Sequence, residues 1–75
     1  MISKKEILIK FGERVRTLRK ERGLSQVQLS FKADLHRTYI GMIERAEKNI
    51  TLVNIEKLAN ALDVSIKELF DDKDQ

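Results

Sequence analysis

Apolar residues recur along this chain at spacings of three and four, the period of helices that bury one face. Ile7 or Leu8, Phe11, Val15 and Leu18 mark the stripe of a first helix that stops before Gly23. Ser3 and Glu6 stand at its start with capping-box spacing. Residues 26–45, QVQLSFKADLHRTYIGMIER, then read as two short helices joined by a tight turn. Leu29, Ala33, Leu35, Ile40 and Ile43 supply their apolar positions, and Ser30 is small enough to let one helix cross close to the other. Ser25 and Gln28 form a second capping box, which starts helix two at about Gln26. Asp34 falls in the turn, where positive φ is often required and aspartate enters that region at modest cost. His36 takes the N-cap position of a third helix over about Arg37–Arg45. Thr51 caps a fourth helix, whose Leu52, Ile55, Leu58, Ala59 and Leu62 are expected to close the core. Ser65 and Glu68 make a third capping box for a last short helix with Leu69 inward.

This pattern predicts one all-α domain over residues 1–75, with about 1–10 extending helix one and 71–75 forming an acidic tail. Its centre is a helix-turn-helix at helices two and three, an arrangement that presents the second of its helices to the major groove of DNA. Arg37, Thr38, Gly41, Met42 and Arg45 occupy the surface left by Ile40 and Ile43, with Tyr39 near its edge. Arginine bonds guanine bidentately, a threonine hydroxyl bonds base or phosphate, and a methionine or threonine methyl touches a thymine methyl. Gly41 costs roughly 1 kcal/mol of helix stability relative to alanine; a bare outward spot makes sense where another backbone approaches closely. Free N–H groups at the start of helix two can hold a phosphate beside Gln26, and Lys48 and Asn49 in the next loop reach the sugar-phosphate backbone. His36, the only histidine, is an exposed cap or phosphate neighbour.

Charge sharpens this picture. Residues 1–49 carry 12 Lys/Arg against 6 Asp/Glu, a net of +6, whereas residues 50–75 carry 3 against 6, a net of −3. The basic part holds the proposed reader, which favours a polyanion partner. Lys10, Arg14, Arg16, Lys20 and Arg22 lie mostly off the first stripe and read as a solvated face. Val53, Ile66 and Phe70 do not all fit the buried stripes. Left over in so small a domain, they suggest a self-complementary patch and a two-fold dimer, although Phe70 equally well completes the core.

Other classes find little support. The chain has no cysteine and no metal-ligand cluster, so neither a disulfide, a structural metal nor a cofactor is expected. No nucleophile stands beside a base and no glycine-rich phosphate loop precedes a helix, which argues against an enzyme. The aromatic platforms of single-strand RNA readers are missing. No apolar run approaches a membrane span and the N-terminus lacks a signal peptide's apolar stretch, so a cytoplasmic location is expected.

From Phe11 to Phe70 the sequence resembles the Cro/cI-type helix-turn-helix family of bacterial and phage repressors, whose fold is that of the λ repressor. RTLRKERGLSQVQLS (16–30), the IER of Ile43, Glu44 and Arg45, and LANALDVSIKELF (58–70) carry the match. LHRTYIGMIERAEKNITLVNI (35–55) is similar to the controller proteins of restriction-modification systems. The resemblance implies five helices and a DNA-binding dimer on palindromic operators, with one dimer activating and a second, on the neighbouring site, repressing. It implies an ion pair between Arg19 and Glu44, base contacts from Arg37, Thr38, Tyr39, Gly41 and Met42, and phosphate contacts from Gln26, His36, Arg45, Lys48 and Asn49. Ile50, Val53, Ile66 and Phe70 are the expected dimer contacts. Asp34 and Ala46 stand where the family often has glycine, and His36 where it has aspartate or serine. A phage-type repressor, or an antitoxin-like module that binds protein instead of DNA, is the alternative.

Overall fold

A computed structural model describes residues 4–71; the proposed Ser3 cap lies outside the described residues. Five helices follow in order: α1 Lys4–Glu21, α2 Gln26–Ala33, α3 Arg37–Glu44, α4 Leu52–Leu62 and α5 Ile66–Leu69. The starts of the last four are set by side chains that occupy orphan N–H groups. Ser25 and Gln28 exchange bonds of 3.0 and 2.8 Å, and Ser65 and Glu68 do the same at α5. Thr51 Oγ1 accepts from the Asn54 N–H at 3.2 Å. His36 also caps its helix, with Nδ1 accepting the Thr38 N–H at 3.1 Å.

The helix ends share one device. After α1, α2, α3 and α4 the chain turns through a left-handed residue, in order Gly23, Asp34, Ala46 and Asp63, at φ between 54° and 67°. Each turn is closed by a backbone bond to the residue five positions earlier: Leu24 to Arg19, Leu35 to Ser30, Glu47 to Met42 and Val64 to Ala59, at 2.8–3.1 Å. The residue after the left-handed position is apolar in three of the four turns, and Leu24, Leu35 and Val64 all pack on the core. Glu47 is the exception and stays exposed.

The core joins Phe11, Val15 and Leu18 of α1 to Leu29 and Ala33 of α2, Ile40 and Ile43 of α3, Leu58 and Leu62 of α4, and Leu69 of α5. Phe70 stacks on Phe11 with ring centroids 5.1 Å apart, so it serves the core while remaining 48% exposed. Leu52 departs from the expected pattern: it is 72% exposed instead of closing the core. As the first residue of α4 it lies about two turns before the buried Leu58 and about three before Leu62.

Two of the arginines assigned to a solvated face have structural work. Arg14 Nε donates to the Glu68 carbonyl at 3.0 Å, and Arg22 donates to the Leu62 carbonyl. Both carbonyls lie in the last turns of their helices, α5 and α4, where a cation complements the helix dipole. No helix among the described residues is long and apolar enough to cross a membrane.

Candidate nucleic-acid interface

The orientation of α3 is fixed from beneath. Ile40 and Ile43 are buried, and Glu44 joins them as a charged residue beside the equally buried Arg19. The guanidinium grips both carboxylate oxygens, Nε to Oε2 at 2.7 Å and Nη2 to Oε1 at 3.1 Å. A third donor, Nη1, bonds the Leu24 carbonyl at 2.8 Å, and Gln26 Nε2 donates to Glu44 Oε1 at 3.0 Å. One network therefore ties α1, the turn after it, the start of α2 and the end of α3. Every buried side-chain polar atom among the described residues has a partner, so the pair meets the condition under which a buried charge is tolerated.

A second close constraint comes from Gly12 of α1. A Cβ there would lie 2.5 Å from the Ile43 carbonyl oxygen and 2.9 Å from that of Glu44. Backbone meets backbone at this point, and the absent side chain sets how near α3 lies to α1. Gly12 is not legible as a functional residue in the sequence, since a helical glycine on a buried stripe carries no signal of what faces it.

With its inner side locked, α3 turns Arg37 and Thr38 outward, both exposed. Met42 is half-buried. Tyr39 sits at the edge, where its ring packs on the core and its hydroxyl accepts from Asn54 Nδ2 at 3.1 Å, so α4 holds its position. Lys48 and Asn49 are exposed in the loop that follows, and His36 is exposed at the helix start.

Gly41 departs from the bare outward spot expected of it. It is buried, and a Cβ there would lie 3.0 Å from Arg45 Nη1 and 3.6 Å from Gln26 Oε1. The protein itself fills the gap, laying the Arg45 guanidinium back across its own helix. Arg45 is the C-cap of α3, one residue past the helix, and its Nε and Nη2 bond the two oxygens of Glu47 at 3.1 Å each. Those hydrogen bonds, with the opposite charge, hold the Glu47 carboxyl below its ordinary range and push the Arg45 guanidinium above its own.

Apolar surface remains on other faces. Leu52 and Val53, 64% exposed, lead α4, with Ile50 half-buried just before them, and Ile66 is exposed on α5. Phe31 of α2 is 81% exposed next to Val27, a patch that the apolar periodicity did not assign.

A short helix pair with the second member braced from below and polar side chains outward defines a helix-turn-helix domain of the DNA-binding type. The chain belongs to the helix-turn-helix family HTH_3, whose model matches residues 15–69. Control protein C.BamHI of Bacillus amyloliquefaciens is 48% identical over 66 residues, covering 87% of this chain and 82% of that protein. Control protein C.MunI of a Mycoplasma species is 43% identical over 68 residues, covering 89% and 92%. The crystal structure of the restriction-modification controller protein C.AhdI from Aeromonas hydrophila superposes with a TM-score of 0.83 at 54% identity, covering 84% of this chain and 96% of that one. SinR, a master regulator for biofilm formation solved in complex with DNA, matches at a TM-score of 0.77 and 37% identity, covering 81% and 98%.

Proposed function

We propose that this chain is the controller of a restriction-modification system: a dimeric, sequence-specific regulator that binds near-palindromic DNA and acts as activator and autorepressor. The supporting observation is the outward presentation of Arg37 and Thr38 on a helix whose opposite side is pinned by the Arg19–Glu44 pair. Arg37 reads a guanine edge; Thr38 and Met42 refine the choice, with Tyr39 at the edge of the same surface and Gly41 beneath the Arg45 guanidinium, reached by the duplex once that side chain swings out. Gln26, His36, Arg45, Lys48 and Asn49 meet phosphates and set the register. Ile50, Val53 and Ile66, with the exposed part of Phe70, form the two-fold contact, to which Leu52 is now added. Doubling by symmetry places two reading helices one turn of DNA apart, ~34 Å.

The chemistry belongs to a binding protein, not to an enzyme. Its test is a titration of the full chain into duplex DNA taken from immediately upstream of its own gene. Binding in two steps, one dimer and then a second, is expected. Affinity should fall about a hundredfold or more between 50 and 200 mM salt, as several neutralised phosphates require, and should exceed that for random duplex by about 10³ or more. Equal affinity for both duplexes would remove the assignment.

A further inference from the structure

The loop after α3 breaks a rule that the rest of the molecule keeps. Three of the four left-handed turns place an apolar residue next, and that residue packs on the core; the turn after α3 places Glu47 there, exposed. Its backbone N–H still closes the turn on Met42 at 2.8 Å, so the side chain is spare as far as folding is concerned. That side chain instead takes the Nε and Nη2 edge of Arg45, both bonds at 3.1 Å, on a pair whose two side chains remain half-exposed. A carboxylate and a phosphate offer this edge the same thing: two oxygens in the geometry of a bidentate fork. Gln26 at the start of α2 approaches the same place, since its Oε1 and Arg45 Nη1 both converge on Gly41.

We propose that Glu47 is an affinity-setting residue, an internal stand-in for a DNA phosphate that must yield the Arg45 fork before the backbone of the duplex can take it. This rests on the DNA-binding reading above. An exposed ion pair is broken cheaply, so the contact delays nothing, but it exchanges one partner of Arg45 for another and leaves a carboxylate beside the duplex. Binding is thereby held weak enough for occupancy to follow protein concentration.

The test is a double-mutant cycle in the full chain, with affinity measured on upstream and random duplexes from 50 to 200 mM salt. Glu47→Gln should tighten binding to both duplexes about five- to tenfold at the lowest salt and steepen the salt slope by about 1, the change expected for one further phosphate neutralised. Glu47→Leu, which restores the apolar residue of the other turns, should give the same gain. In an Arg45→Ala background most of the gain should vanish. An equal gain with and without Arg45 would overturn the proposal, because Glu47 would then be acting as a general negative charge; so would no gain, or a loss, in both Glu47 variants. Since a phosphate contact is blind to sequence, the cycle can be read on random duplex even if the upstream DNA shows no preference, the result that defeats the regulator assignment instead.

Discussion

Arg19→Ala should lower the free energy of unfolding by about 3–5 kcal/mol, a large share of what a domain of this size possesses. The loss has less to do with the attraction of one ion pair than with what stays behind. Glu44 is buried, and without Arg19 its carboxylate keeps only the Gln26 amide, at 3.0 Å, as a donor. The Leu24 carbonyl, bonded by Nη1 at 2.8 Å, loses its side-chain donor in the same step. Replacing both partners by methionine removes the stranded charge and should restore much of the stability. It should not restore DNA binding to the same degree, because the fork that fixes the rotation of α3 is gone. Urea unfolding of Arg19→Ala and of the double variant measures this; a double variant no more stable than Arg19→Ala would contradict it.

Gly12→Ala is the second large effect. Alanine gains about 1 kcal/mol over glycine in a helix, yet here its methyl would meet two backbone oxygens, at 2.5 and 2.9 Å, that no rotamer can move. Helix α1 must back away from α3, and overpacking of this kind costs about 1–3 kcal/mol. A net loss of stability is expected despite the better helix propensity, together with weaker binding to the upstream duplex. Gly41→Ala provides the contrast. Its methyl meets the end of the Arg45 side chain at 3.0 Å, a flexible and exposed group, so stability should stay level or rise. Thermal melts of both variants decide the matter; equal shifts would show that α1 and α3 are not held at backbone contact.

What the sequence discloses and what it conceals divide along physical lines. The helices were legible because a 3.6-residue period and short polar caps are local properties: Ser25 with Gln28, Thr51 and Ser65 with Glu68 cap as their spacing predicted. The left-handed turn at Asp34 was legible for the same reason. Gly12 was not, since its meaning lies in a carbonyl more than thirty residues away. Arg14 and Arg22 looked like solvated cations because their targets, the ends of α5 and α4, are brought near only by the packed fold. Leu52 fits the stripe of α4 by spacing, but the helix begins beyond the edge of the core, and its first two residues, Leu52 and Val53, stay exposed while Ile55 packs inward. Gly41 stands out in the sequence as a glycine inside a helix, but periodicity cannot foresee that Arg45 folds back over it.

Arg37 is expected to meet a base, and Lys48 only the sugar-phosphate backbone. Both side chains are exposed, so replacing either should leave the fold undisturbed. The most direct measurement is a scan of the upstream duplex, one base pair changed at a time, against wild type, Arg37→Ala and Lys48→Ala. Arg37→Ala should cost roughly 1–3 kcal/mol on the native site and abolish discrimination at one base pair in each half-site, while Lys48→Ala weakens every duplex alike. Uniform weakening by Arg37→Ala, with the pattern of base preference unchanged, would contradict the claim that the outer face of α3 reads DNA.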